Sequence, residues 1–354
     1  MTVSATDMIP TNGDDESLLH GGDLGAARRL FPGAPEPFID LSTGINPNPY
    51  PVPRFSAELF ARLPDPAAAD ALAVAAARAY GAQSAAHVVS APGTQILLPL
   101  VAGLVRAGRA AILTPGYSEH ARAAAFAGHS VKAVRGIEAC GDATLVIVAN
   151  PNNPDGSLLP RNGLLALAKD LRGRGGVLVA DEAFMDVASP GASLAGDVAC
   201  GNVVVLRSFG KFFGLAGLRL GFALAAPATA ARLGAALGPW AVSGPALAAG
   251  AKAIADEAWI ERTGRRLDKA AQRLDTILSV SGLNIIGGTT LFRLVQTPAA
   301  SALFQHLGRA GIWVRAFPDN ATWLRFGLPG TKRDWQRLDG AMDSFRQSGK
   351  AVCS

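Results

Sequence analysis

Two isolated cations stand in an otherwise apolar run, SFGKFFGLAGLRLGF, residues 208–222. Lys211 sits among glycine and phenylalanine, and Arg219 follows in the same run. A lysine amine in apolar surroundings has its pKa pushed down, and the neutral amine is the form that condenses with aldehydes. A fork-shaped, permanently charged guanidinium suits a phosphate. Taken alone, Lys211 is also compatible with a lysine snorkelling from a strand end.

Further polar residues precede this run, each where an apolar stretch stops. In APGTQ, Gly93 and Thr94 suit a phosphate at a helix start near Thr94, or Thr94 simply caps that helix. Tyr117, in TPGYSEH, can stack on a planar ring or pack at a strand end. NPNNPDG, from Asn150 to Gly156, offers an asparagine amide to a ligand oxygen, or is a double Asx-Pro turn. Asp181 closes VLVADEAF, and a carboxylate there is costly unless it is paired, capping a helix or functional. In this order the set can hold an anionic, aromatic ligand with a cationic nitrogen.

The elements that must position these residues are legible as well. Short apolar runs alternate with Ala/Leu-rich helical runs from HVVSAPGTQ to LRLGFALA, which predicts a largely parallel sheet covered on both faces. In such sheets ligands bind beyond the carboxyl ends of the strands, where the polar residues above fall. From about Ala253 a long charged helix, two strand-like runs (TTLFRLVQ and GIWVRAF) and a last helix read as a smaller α/β domain. The expected division is an N-terminal arm over 1–44, a large domain over 45–250 and a small domain over 251–354. The uncharged stretch Leu233 to Ala251 contains Pro239 and Pro245, which predicts two short buried helices rather than a membrane span.

Composition narrows the classes. Of 354 residues, 49% are hydrophobic and 17% charged, enough for a sizeable core and against a disordered chain. The net charge of +5 is scattered, with no basic run interleaved with aromatics, which argues against nucleic acid. Cys140, Cys200 and Cys353 are too few and too widely spaced for a disulfide framework. The five histidines show no HxxxH or HxH spacing, so no metal is expected. The N-terminus has no secretory pattern, and a cytoplasmic location without membrane partners is expected.

Together, NPNNPDG, DEAF and SFGKFFGLAGLRLGF resemble the signatures of fold-type I enzymes that use pyridoxal 5'-phosphate, in the class I/II aminotransferase branch. The resemblance spans nearly the whole chain. It implies that Lys211 carries the cofactor covalently and that Asp181 holds its protonated pyridine nitrogen. It further implies that Asn153 donates to the phenolic oxygen and Tyr117 stacks on the ring. Gly93, Thr94, Ser208 and Arg219 hold the phosphate. Arg325 matches the substrate-carboxylate arginine, with Arg315 a second candidate. A homodimer is implied too.

Within the branch, HGGD at His20, then IDLSTGINPNPYP with Asn46, and GIWVRAFPDNATWLRFGLPG resemble threonine-phosphate decarboxylases of the cobalamin pathway. These are related to histidinol-phosphate aminotransferases. His20 and Asn46 are thereby candidate substrate contacts, and a small phosphorylated amino acid is the implied substrate. Two departures stand out: Asp23 replaces the usual asparagine of the arm, and Phe184 replaces the tyrosine common among aminotransferases. The implied reaction is decarboxylation of O-phospho-L-threonine to (R)-1-amino-2-propanol O-2-phosphate. The alternatives are a histidinol-phosphate-type aminotransferase and a cofactor-binding regulator on the same fold. Borohydride reduction of the yellow protein is expected to fix the cofactor to the peptide containing Lys211; labelling at Lys132, Lys169 or Lys252 would refute the assignment.

Overall fold

The computed structural model describes residues 21–189 and 191–349, and His20 lies outside them. The described residues form two compact units, one from Pro49–Thr263 and one joining residues 21–48 to residues 264–349. The boundaries expected at 44 and 250 therefore differ from the observed ones, and the second boundary falls within the long helix Glu257–Val280.

The N-terminal segment joins the C-terminal unit because its partners are there. Strand β1 (Ile39–Leu41) pairs in parallel with β11 (Ile312–Ala316). The Phe31 ring meets Phe304 and Trp313 edge-on, at centroid distances of 5.8 and 6.2 Å. Arg337, on the last helix, donates to the carbonyls of Pro35, Pro37, Ala310 and Gly311. A segment with little apolar material of its own thus gains a sheet neighbour, an aromatic anchor and a guanidinium staple.

The Pro49–Thr263 unit is built on a seven-stranded sheet of order β2-β8-β7-β6-β5-β3-β4. Its members are β2 (Val88–Ala91), β3 (Arg109–Leu113), β4 (Ser130–Val134), β5 (Leu145–Ala149), β6 (Val177–Asp181), β7 (Val203–Ser208) and β8 (Gly221–Leu224). Strands β3 to β7 run parallel, and β8 is antiparallel to both its neighbours. All five residues of β5 are buried, as expected of a strand covered on both faces. Local chemistry sets the helix ends: Asp65 caps Pro66–Tyr80, which opens on proline and stops at Gly81 in the left-handed region. The uncharged stretch forms helices Pro227–Leu237 and Gly244–Ala255. Among the described residues no helix is long and apolar enough to cross a membrane.

The other unit holds a five-stranded sheet of order β1-β11-β12-β10-β9. It adds β9 (Asn284–Thr289), β10 (Phe292–Gln296) and β12 (Trp323–Gly327), all antiparallel to their neighbours. The helix after β2 begins at Leu97, not near Thr94, and Thr94 does not cap it. Gly93, at φ 88°, bends the chain, and the Thr94 carbonyl closes a turn with the Leu97 N–H at 3.0 Å before the helix starts.

Candidate active site

Asp181 ends β6, Ser208 ends β7, and Lys211 lies on the short helix Phe209–Phe212 that follows. Parallel pairing sets Asp181 opposite Leu206, so the carboxylate and the lysine-bearing turn emerge from adjacent strand ends. Phe209, Phe212 and Phe213 are buried around Lys211; Phe209 and Phe213 stack at 4.4 Å, and Phe213 stacks on Trp259 at 5.7 Å. This aromatic packing fixes the backbone that carries the lysine. Its Nζ lies 5.5 Å from the centroid of the buried Phe184 ring.

Asp181 is buried, and its Oδ2 lies 2.8 Å from Nε2 of the equally buried His120, while its Oδ1 accepts the Ala183 N–H at 3.1 Å. Each oxygen keeps a lone pair for a further donor. His120 meets Tyr117 edge-on at 5.4 Å, and the Tyr117 hydroxyl donates to Gln95 at 3.0 Å. One chain of contacts therefore links the ends of β2, β3 and β6. His120 was not singled out in the sequence, although its place three residues after Tyr117, in TPGYSEH, puts both on one face of the helix start.

Gly93 and Arg219 meet directly: a Cβ at Gly93 would overlap the Arg219 Nη2 atom. Arg219 is held at φ 54°, and its Nη1 donates to the Ala216 carbonyl at 3.0 Å. A left-handed arginine costs about 1–2 kcal/mol, so the strain points to a use for this guanidinium. Thr94 stands beside Gly93 and is half-buried, as is Ser208. In the asparagine turn, Asn150 Oδ1 accepts the Leu159 N–H at 2.8 Å, and Asn152 donates to Pro115 and Asp155, both at 2.9 Å. These two hold the loop that presents half-buried Asn153.

In the other unit, Arg315 and Arg325 are direct cross-strand partners on β11 and β12. Like charges placed opposite one another are unfavourable without an anion to share. Burial foremost, and then the neighbouring Arg315 charge, push the Arg325 guanidinium down to about 9, against the pull of Asp40. Arg325 Nη2 donates to the Ser42 carbonyl at 2.6 Å. Ser42 is also the seat of the HGGD turn: its hydroxyl accepts the Gly22 N–H at 2.8 Å and donates to Asp40 Oδ1 at 2.6 Å. A Cβ at Gly21 would overlap the same Ser42 carbonyl oxygen, so only glycine fits against it. Buried Asn46 accepts the Asn48 N–H at 3.0 Å, turning the chain out of this region.

The family model for aminotransferase class I and II matches residues 39–338. The chain belongs to this aminotransferase family. It is 40% identical over 336 residues to a threonine-phosphate decarboxylase of Pseudomonas aeruginosa, covering 93% of this chain and 98% of that one. A Sinorhizobium threonine-phosphate decarboxylase is 42% identical over 335 residues, covering 92% and 97%. The crystal structure of a Sinorhizobium meliloti histidinol-phosphate aminotransferase in complex with pyridoxal 5'-phosphate superposes with a TM-score of 0.78 at 25% identity, covering 92% and 94%. The fold is that of the fold-type I members of the family, as the sequence motifs imply.

The donor set fits the family's cofactor. Bare backbone at Gly93 beside the Arg219 fork makes a cradle for a phosphate, which a side chain at Gly93 would fill. A buried carboxylate at Asp181 suits a protonated ring nitrogen, and Lys211 supplies an amine on an adjacent strand end. The Arg325→Gln variant is expected to fold with little change in Tm, because the removed charge opposes burial. Its KM for an anionic amino acid should rise about tenfold to a hundredfold, as for one lost charge-assisted bond. The unfolded chain keeps this arginine's proton to higher pH than the folded chain. Parental stability relative to the variant should therefore rise with pH above about 9. An unchanged KM would remove Arg325 from the substrate site.

Proposed function

We propose that this chain is an enzyme that decarboxylates O-phospho-L-threonine to (R)-1-amino-2-propanol O-2-phosphate with the help of pyridoxal 5'-phosphate, serving cobalamin assembly. The observation that carries this reading is near full-length likeness to two threonine-phosphate decarboxylases, at 40% and 42% identity. The intact set of Lys211, Asp181 and Arg219 accompanies it.

When bound, the cofactor supplies an electron sink for the pair released when a bond at the substrate Cα breaks. Lys211 would be its covalent anchor, and the lysine Nζ, once the substrate's own amine has taken its place on the cofactor, would be the group that returns a proton to Cα after CO2 has left. Asp181, held by His120 at 2.8 Å, would be the carboxylate that pairs with the ring nitrogen and so favours that nitrogen's proton. Gly93, Thr94, Ser208 and Arg219 would hold the cofactor phosphate, Asn153 its phenolic oxygen, and Tyr117 would pack against the ring. Arg325 and Arg315 would receive the anionic groups of the substrate, and Asn46 and His20 are candidate contacts by resemblance. Whether the Cα–carboxylate bond or Cα–H breaks would depend on how the substrate's anionic groups are held.

Transamination of histidinol phosphate is the second reading, favoured by the structural likeness to the Sinorhizobium meliloti enzyme. The two differ in stoichiometry. A decarboxylase returns to its starting state each cycle, whereas an aminotransferase needs an oxo acid to do so. Phosphothreonine alone is expected to release CO2 over many turnovers with the visible spectrum unchanged. Unphosphorylated threonine should be a poor substrate, because it lacks the dianion's charge-assisted bonds. Many turnovers of histidinol phosphate with 2-oxoglutarate, and no CO2 from phosphothreonine, would reverse the choice.

The proposed setting is the cytoplasm, consistent with the free thiols of Cys140 and Cys200. We also propose a homodimer. Phe60 and Leu63 are 68% and 66% exposed, beside an apolar cleft of about 590 Å³ that Pro64 and half-exposed Trp240 line. Apolar side chains of this size in one region mark a covered face. Sedimentation is expected to give twice the chain mass of 36.3 kDa, and Phe60→Glu with Leu63→Glu should shift it to the single chain. A monomeric parent would exclude the dimer.

A further inference from the structure

Behind Asp181 and Lys211, on the opposite face of the sheet, lies a buried ionic cluster that the proposed chemistry does not use. Side chains alternate along a strand, so Asp181 and Leu206 face one side and Glu182 and Arg207 the other. Arg207 Nη1 donates to Glu182 Oε2 at 3.1 Å, and its Nη2 donates to Asp186 Oδ1 at 2.5 Å. Glu182 also accepts from the Ser193 hydroxyl at 2.5 Å and from the Leu194 N–H at 2.7 Å. The guanidinium lies 4.4 Å from the centroid of the Tyr80 ring, at the end of a helix covering this face. Burial opposes the Arg207 charge, but Asp186 and Glu182 outweigh it and hold the residue protonated.

Stability alone is a poor reason for this arrangement. Replacing a buried ion pair with neutral groups of similar volume is often harmless, since desolvation cancels the attraction. Moreover, Tyr80 Oη, Asp186 Oδ2 and Arg207 Nε have no hydrogen-bond partner among the described residues, which adds cost. What the cluster does possess is position. Glu182 is the neighbour of Asp181, and Arg207 the neighbour of Ser208 in the strand that leads to Lys211. Asp186 lies two residues beyond Phe184, whose ring faces the Lys211 amine.

We propose that Arg207 is a positioning residue: by clamping Glu182 and Asp186 behind the ends of β6 and β7, it sets where Asp181, Phe184 and Lys211 stand on the opposite face. The inference rests on the roles proposed above for Asp181 and Lys211. A two-pronged guanidinium fixes two loops at once, which neither an amine nor an apolar chain reproduces. The clamp touches no substrate; it acts through the residues that do.

The test uses the full chain loaded with pyridoxal 5'-phosphate and a charge-free variant, Arg207→Met with Glu182→Gln and Asp186→Asn. Three readouts are taken: Tm, the pH midpoint of the bound cofactor's visible absorbance without substrate, and kcat and KM for phosphothreonine. The variant is expected to keep its fold and cofactor, with the absorbance midpoint moved by about half a pH unit or more. Its kcat should fall about tenfold or more while KM stays within about twofold, the pattern of misplaced reacting groups. A folded variant with parental midpoint and kcat would overturn the proposal and leave the cluster structural. If the triple variant does not fold, Arg207→Lys, which keeps one charge but loses the fork, must show the same shift. Parental values there, or failure of both variants to fold, would equally overturn it. A parental protein lacking lysine-linked cofactor absorbance would instead refute the reading on which the inference rests.

Discussion

Parallel pairing of β6 with β7 is the constraint on which the site depends. It brings a carboxylate and an amine, distant in sequence, to neighbouring strand ends, with Asp181 opposite Leu206. Both strands are buried on both faces, so neither can slip by a residue without turning its apolar set over. On one face Val179, Val204 and Leu206 enter the main apolar cluster with Leu145, Ile147 and Leu97. On the other, Arg207 joins the same two strands by charge. Two kinds of interaction thus agree on one register.

The buried groups Asp181, Glu182 and Arg207 each have a specific partner close by, because low-dielectric surroundings make an unsupported polar or charged group expensive. Asp181 has His120, and Arg207 has two carboxylates. Arg219 is accommodated by a left-handed backbone and by the missing side chain of Gly93. An anion bound there would meet a guanidinium and open backbone together, the combination that suits a phosphate.

The other unit solves a different problem. Its two arginines face each other across β11 and β12, and Arg325 is buried. The Ser42 carbonyl holds Arg325 by one prong, and the glycine turn at 21–22 packs against that same serine. Residues 21–48 are therefore an organising part of the arginine site. Arg337 contributes at the far end of the segment by tying residues 35–37 to the turn at 310–311.

Much of this was legible in the chain. Continuous apolar runs announced a sheet covered on both faces, and the polar residues at their ends are Gly93 to Gln95, Tyr117, Asn150 to Asn153, Asp181 and Glu182, and Ser208 to Lys211. Residue chemistry and local periodicity are properties of a few neighbouring positions, so a sequence carries them openly. What it did not carry were pairings between distant segments. The association of the N-terminal segment with β11, the His120 contact to Asp181, the facing of Arg315 and Arg325, and the ion cluster behind the strand ends all arise from register and packing. Even the start of the helix after Gly93 moved to Leu97, because a left-handed glycine and the turn after it took precedence over local capping preference. Sequence determined which groups could act, whereas tertiary structure decided their partners, since burial and long-range contact set the energy of every charge.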